Sequence, residues 1–175
     1  KRFVLLGTDY VYPRTTNKIL RYFLQSKGVA EADIMEKYTP FGFTDYQTIV
    51  AEVKRFAAGK RTAVISTING DPNVPFYKEL ANQGVKAEDI PVVAFSVGEE
   101  ELRGIDTAPL VGHLAAWNYF MSIDNPENKA FIDKAVKRFA ELREAVGDEC
   151  DIGIDFHGAI SPQTAKLLIK ALEPY

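Results

Sequence analysis

The sequence predicts an α/β fold, a three-layer αβα sandwich around a mostly parallel sheet. Two observations predict this class. Short apolar runs alternate with segments of helical periodicity along all 175 residues, which is the order of repeated βαβ units. The apolar runs are also nearly continuous, as in strands that helices cover on both faces. We therefore expect a single domain, residues 1–175, with helices on both sides of the sheet.

The composition is that of a globular domain, since 46% of the residues are apolar and 26% are charged. The net charge of −3 gives no basic field for nucleic acid, and no apolar run is long enough to cross a membrane. No phosphate-binding glycine motif or nucleophile elbow occurs in the sequence. We therefore expect no cofactor, no enzymatic activity, and neither nucleic acid nor a membrane as a partner.

The first half of the chain predicts three strands, each followed by a helix. In the first of these helices, apolar residues such as Ile19 and Phe23 share one face, and Gly28 suits its end. Strands are predicted at residues 2–12, 33–41 and 62–70, and helices at residues 14–28, 44–60 and 71–84.

The second half continues the alternation less regularly. Residues 110–121 are rich in aromatic side chains and suit either a strand or a buried helix. Phe131, Phe139 and Val146 lie on one stripe of a long amphipathic helix. The other predictions are strands at residues 91–98 and 151–158, a short helix at 99–106, and helices at 125–147 and 161–174.

Five segments in the first three quarters of the chain resemble one known family. They read "FVLLGTDYVYPRTTNKI", "YTPFGFTDYQTIV", "STINGDPNVPFYKELANQG", "PVVAFSVGEEEL" and "LVGHLAAWNYF". They make residues 3–132 resemble the second lobe of the urea and short-amide substrate-binding proteins of bacterial ABC transporters. These proteins belong to the type I periplasmic-binding-protein class. The resemblance implies a flavodoxin-like lobe and a periplasmic location for the larger parent protein.

The resemblance also implies a binding wall at the carboxyl edge of the sheet, for a small amide held weakly. Carboxylates accept from amide NH2 groups, Asn and Ser donate to a carbonyl, and Tyr rings exclude water. Taken without the resemblance, the same residues are ordinary turn formers and helix caps, and that alternative stays open. The implied ligand-binding residues are Asp9, Tyr10, Tyr12, Asn69, Asp71 and Ser96.

Residues 133–175 resemble a different family. The stretch "AVKRFAELREAVGDECDIGIDFHGAISPQTAKLLIKALEPY" is similar to a βα piece of the (βα)8 barrel of galactonate-dehydratase-like enzymes in the enolase superfamily. This resemblance implies magnesium binding by Asp155 and general-acid chemistry by His157. Ala159 stands where that family has Arg, and one carboxylate holds Mg²⁺ weakly. We therefore expect a vestige, in which Asp155 caps a turn and His157 makes a plain hydrogen bond.

The two resemblances meet near Ile132 and Asp133, inside one predicted helix. We interpret the chain as an engineered chimera with no established biological activity, in which residues 1–132 derive from the binding-protein lobe. Residues 133–175 would then complete the sheet by covering an open edge. The alternatives are a half-site that binds urea or short aliphatic amides weakly, and an inactive remnant of a magnesium-dependent sugar-acid dehydratase.

Two further expectations concern the protein as a whole. The chain begins at Lys1 and enters a strand at once, so we expect a piece of a longer protein or a trimmed one, recombinant and cytoplasmic on expression. Tyr10, Tyr12 and Phe76 are expected near an exposed former lobe–lobe face that is apolar enough for self-association.

Overall fold

The computed structural model describes residues 1–102, 106–117, 119–150, 152, 169–170 and 172. The chain divides into two compact units, Lys1–Asn118 and Tyr119–Tyr175. The single domain over residues 1–175, with a join at residue 132, stays a prediction.

The first unit is built on a five-stranded parallel sheet with the strand order β2-β1-β3-β4-β5. This order confirms the predicted α/β class and its parallel sheet. The chain moves outward in one direction from β1 to β2 and in the opposite direction from β3 onward, so the order reverses between β1 and β3. The strands are β1 (Arg2–Thr8), β2 (Ile34–Thr39), β3 (Thr62–Thr67), β4 (Val92–Ala94) and β5 (Leu114–Ala115).

Helices lie on both faces of this sheet, as the sequence predicts. Side chains alternate between the two faces of a strand, so neighbours on β1 enter different cores. Val4 and Leu6 pack in the larger core with α2 and α3, whereas Leu5 packs in the smaller core with Leu24 of α1. The helices of the first unit are α1 (Val11–Ser26), α2 (Gln47–Ala57), α3 (Asn73–Asn82) and α4 (Glu99–Leu102).

The start of α1 differs from the prediction. Strand β1 ends at Thr8, and the helix begins at Val11 rather than at residue 14. The chain turns at Tyr10, whose N–H donates to the carbonyl of Thr8 at 2.8 Å. The apolar run therefore continues through a strand, a turn and the first turn of a helix, which hydrophobicity alone does not separate.

The apolar face that the sequence predicts for α1 is only partly buried. Leu24 is buried and Leu20 packs against the smaller core, but Ile19 and Phe23 are 63% and 54% exposed. The outer flank of α1 thus carries large apolar side chains in contact with solvent.

The segment at residues 110–121 is neither a long strand nor a buried helix. A single 3-10 turn at Ala108–Leu110 precedes β5, which is two residues long. The Nδ1 atom of His113 accepts a hydrogen bond from the backbone N–H of Val92 at 3.0 Å. A side chain therefore takes part in joining this segment to β4.

The second unit contains the long helix α5 (Pro126–Val146). Asn125 caps its start, because its side chain accepts from the N–H of Asn128 at 2.7 Å. The ring of Phe131 packs edge-on against Tyr119 at 5.5 Å. The predicted helix at 125–147 is therefore present.

The predicted strand at 151–158 and most of the helix at 161–174 lie outside the described residues. No described helix is long and apolar enough to cross a membrane.

Candidate ligand-binding site

The loops that follow β1 and β3 lie on either side of the point where the strand order reverses. In open parallel sheets this position leaves a crevice beyond the carboxyl ends of the strands, where ligands bind. Asp9 and Tyr10 come directly after β1, Asn69 and Asp71 follow β3, and Ser96 follows β4. The strand ends therefore bring the six predicted residues to one edge of the sheet, with Tyr12 in the first turn of α1.

Close packing of α1 on the sheet positions the first loop. A methyl group on Gly7 would lie 2.8 Å from Cβ of Pro13 and 2.3 Å from Oγ1 of Thr67. Asn17 of α1 is fully buried, and its Oδ1 accepts from the hydroxyl of Thr67 at 3.2 Å. The absence of a side chain at Gly7 is what allows the helix to approach β1 and β3 so closely.

Asp9 is held in an ion pair rather than left free. Its Oδ1 accepts from Nε of Arg14 at 2.7 Å, and both side chains are more than half exposed. This hydrogen bond from Arg14 lowers the pKa of Asp9. The guanidinium of Arg14 also lies 4.0 Å from the centre of the Tyr38 ring, on its face, an arrangement that attracts a cation.

The two tyrosines of the predicted wall have different environments. Tyr10 is 50% exposed, and its ring meets that of Phe41 edge-on at 5.2 Å. The hydroxyl of Tyr12 donates to the carbonyl of Phe95 at 3.2 Å. Tyr12 therefore links the first turn of α1 to the end of β4, while the Tyr10–Phe41 pair faces solvent.

A buried asparagine that the sequence analysis missed shapes the loop after β3. Asn73 is 1% exposed, and its Nδ2 donates to the carbonyls of Ile68 at 2.9 Å and Gly70 at 3.0 Å. Gly70 has a φ of 67°, which few other residues adopt. A polar side chain at the start of a helix, just after a glycine turn, was the signal available in the sequence.

Asn69 is fixed on both its backbone and its side chain. Its N–H donates to Oγ1 of Thr8 at 2.9 Å, and its Oδ1 lies 3.5 Å from the hydroxyl of Ser96. Thr8 is fully buried and was also missed, because it reads as the end of an apolar strand. Contacts to the end of β1 and to the loop after β4 thus orient Asn69 at the reversal point.

A polar network occupies the β2 side of the wall. The Tyr38 hydroxyl donates to Glu36, whose carboxylate also accepts from Nε of Arg21 at 2.9 Å. Burial, followed by the hydrogen bond to Glu36, raises the pKa of Tyr38 to about 12. An open cavity of about 670 Å³ is lined by these residues together with Asp9 and Arg14.

The remaining sequence expectations have different outcomes. Phe76 is fully buried and packs against Tyr46 and Tyr77, so it adds no apolar area to an exposed face. Self-association stays a prediction. Asp155 and His157 lie outside the described residues. Within the described part of the chain, no group of three potential metal ligands occurs.

A match to a family of known proteins covers most of the chain. Residues 1–152 match the family described as "Periplasmic binding protein domain", and the chain belongs to that family. Its members are binding proteins rather than enzymes. The match also includes residues 133–152, which lie beyond the join that the sequence analysis places at residue 132.

Solved structures of transporter binding proteins share the fold at low identity. The amino acid ABC transporter substrate-binding protein of Pseudomonas fluorescens Pf-5 is 13% identical, with a TM-score of 0.64, over 80% of this chain and 36% of its own. A solute-binding protein of Rhodopseudomonas palustris HaA2, in complex with p-hydroxybenzoic acid, is 20% identical, with a TM-score of 0.59, over 85% and 38%.

A third structure is the branched-chain amino acid ABC transporter periplasmic ligand-binding protein of Burkholderia xenovorans LB400. It is 17% identical, with a TM-score of 0.60, over 76% of this chain and 34% of its own. The chain thus spans about a third of the length of the structures it matches.

Proposed function

We propose that the carboxyl edge of the sheet is one wall of a binding site for urea or a short aliphatic amide. Such a ligand carries both NH2 donors and a carbonyl acceptor. Asp71 is exposed and can accept from NH2, while the amide group of Asn69 can donate to a carbonyl. The exposed ring of Tyr10 excludes water from one side of the ligand.

The observation that carries this proposal is the fixed position of Asn69. Thr8 holds its backbone N–H at 2.9 Å, and the Ser96 hydroxyl lies 3.5 Å from its Oδ1. With Oδ1 turned toward Ser96, the Nδ2 group is the part that can face a ligand. A preorganised donor at the reversal point costs less entropy on binding than a mobile side chain does.

The affinity of this wall alone is expected to be low. Each ligand atom contributes at best about 1.5 kcal/mol, and the chain spans about a third of the structures it matches. If other parts of a whole protein supply half the contacts of a micromolar site, the wall alone binds at about millimolar Kd or weaker. In the whole protein, the site would serve uptake in the periplasm.

Ligand-observed NMR tests the proposal. Saturation of the protein is expected to transfer to the methyl group of acetamide, and Asn69→Ala should abolish that transfer. Asn82→Ala is the matched control, because Asn82 is exposed at the far end of α3. Transfer that survives in Asn69→Ala would contradict the proposed wall. Transfer to 4-hydroxybenzoate or leucine, but not to acetamide, would replace the amide with a carboxylate ligand.

The interpretation of the chain as an engineered chimera, with residues 133–175 taken from a barrel, stays a proposal. The family match that continues through residue 152 weighs against a join at residue 132. The vestigial magnesium site has its own test, since Mg²⁺ at 10 mM should leave the signals of Asp155 and His157 unmoved. Saturable shifts there would revive the dehydratase alternative.

A further inference from the structure

Arg14 is the side chain that decides how much negative charge the wall presents. Its Nε lies 2.7 Å from Oδ1 of Asp9. The other carboxylate of the predicted wall, Asp71, has no ion pair among the described residues. With Arg14 in place the wall offers one free carboxylate, whereas without Arg14 it would offer two.

The Asp9–Arg14 pair is poorly placed to stabilise the fold. Both side chains are more than half exposed, and exposed ion pairs contribute little to stability. Yet Arg14 is held in place a second time, by the face of the Tyr38 ring at 4.0 Å. Tyr38 in turn is fixed by its hydrogen bond to Glu36. A fixed guanidinium that adds little stability is suited to setting the charge at the wall.

The surroundings of the pair also disfavour a cation. The cavity beside Asp9 is lined by three basic side chains, Arg14, Lys18 and Arg21, and by two acidic ones, Asp9 and Glu36. Arg21 is neutralised by Glu36, and Lys18 has no ion pair among the described residues. A cationic ligand that approaches Asp9 therefore meets positive charge, whereas a neutral ligand meets no penalty.

We propose that Arg14 is a specificity-determining residue, which makes the wall accept uncharged amides and reject guanidinium or ammonium ligands of the same size. The inference rests on the proposed function. It names the small nitrogen-containing ligands that the wall excludes, which are the cationic ones, and the side chain that excludes them. Guanidinium is the sharpest competitor, because it is planar and has the size of urea but carries a unit charge.

The test compares acetamide and guanidinium chloride, each up to 50 mM, by protein-observed NMR at constant low ionic strength. We expect Arg14→Gln to bind guanidinium about fivefold more tightly than the wild type, the effect of one unit charge near 4 Å in water. Acetamide affinity should change less than twofold. Arg14→Lys keeps the positive charge and should restore the wild-type preference.

Arg55→Gln is the matched control, because it removes an exposed guanidinium in the last turn of α2, outside the cavity beside Asp9, and lowers the net charge by the same amount. It should leave the guanidinium affinity unchanged. The double variant Asp9→Asn with Arg14→Gln should lose the gain, and the pKa of Asp9, followed by its carboxyl shift, should rise in Arg14→Gln alone.

The outcomes separate the two proposals. An absence of acetamide shifts at the wall of the wild type overturns the proposed function. An absence of guanidinium gain in a well-dispersed Arg14→Gln spectrum overturns the role of Arg14. An equal gain in Arg55→Gln also overturns it, because net charge rather than the Asp9 pair would then be responsible.

Discussion

A methyl group on Gly7 would lie 2.3 Å from Oγ1 of Thr67, closer than nonbonded atoms approach in proteins. Gly7→Ala must therefore displace Thr67 or Pro13, and it is expected to destabilise the fold by about 1–3 kcal/mol, the cost of overpacking a close contact. Urea unfolding measures this loss. Gly98→Ala is the control, since among the described residues its new methyl group meets only Oε2 of Glu101, at 3.4 Å. Equal stability of the two variants would contradict the close approach of α1.

Asn73 is expected to support both the fold and the wall. Asn73→Ala removes the Nδ2 donor from the carbonyl of Ile68, whereas the Gly70 carbonyl keeps the backbone N–H of residue 73 at 3.0 Å. The loss is expected to cost about 1–3 kcal/mol. The amide resonance of Asn69 should broaden or shift as its loop loosens. Asn82→Ala removes an exposed amide from the same helix and should cost less than about 0.5 kcal/mol. An Asn73→Ala variant as stable as the wild type would show that the loop after β3 keeps its conformation without this side chain.

Buried and exposed leucines are expected to differ in how much stability the protein loses when each is replaced by alanine. Leu80 of α3 is 1% exposed, whereas Leu114 of β5 is 59% exposed. Leu80→Ala should cost about 2–5 kcal/mol because it leaves a cavity. Leu114→Ala should fall within about 1 kcal/mol. Thermal or urea unfolding ranks the two, and the reverse order would mean that α3 does not pack as described.

His113 predicts a pH dependence of stability with a definite sign. Its Nδ1 accepts from the N–H of Val92 and so carries no proton, and burial lowers the pKa of His113 below 6.5. A depressed pKa means that the unfolded chain takes up a proton first. Stability should therefore fall as the pH drops below about 6.5, until the pH passes the folded-state pKa.

Urea unfolding at pH 7.5 and pH 5.5 tests this linkage. His113→Gln should remove the part of the pH dependence that belongs to this side chain. If the wild type and His113→Gln lose the same stability between the two pH values, His113 is not held neutral by Val92.

Much of the sheet was predictable, because continuous apolar strands and helical spacing specify parallel βαβ units almost without reference to tertiary contacts. The first turn of α1 was not, because Val11, Tyr12 and Pro13 read equally well as strand or helix. Segment 110–121 was ambiguous for a related reason. Its two-residue strand follows a hydrogen bond from the backbone N–H of Val92 to the side chain of His113, which no periodicity reveals.

The sequence predicts which residues lie at the candidate wall, because they follow the strand ends. It does not predict which partners their side chains contact. Parallel strands bring Asp9, Asn69 and Ser96 to one edge whatever their partners are. The ion pair between Arg14 and Asp9 was not predictable, because it depends on where α1 starts. The sequence predicts a start at residue 14, whereas the helix begins at Val11. The burial of Phe76 was not predicted, because a residue in the first turn of a helix near the binding edge can still direct its side chain into the core.

We propose that the carboxyl edge between β1 and β3 binds a small amide. The most direct measurement is a 1H–15N correlation spectrum of the intact chain with acetamide added to tens of millimolar. We expect saturable shifts in the amides of residues 9–12, 69–71 and 96, while signals from the opposite edge of the sheet stay in place. A dispersed spectrum in which these signals do not move, or in which all signals move alike, would contradict it.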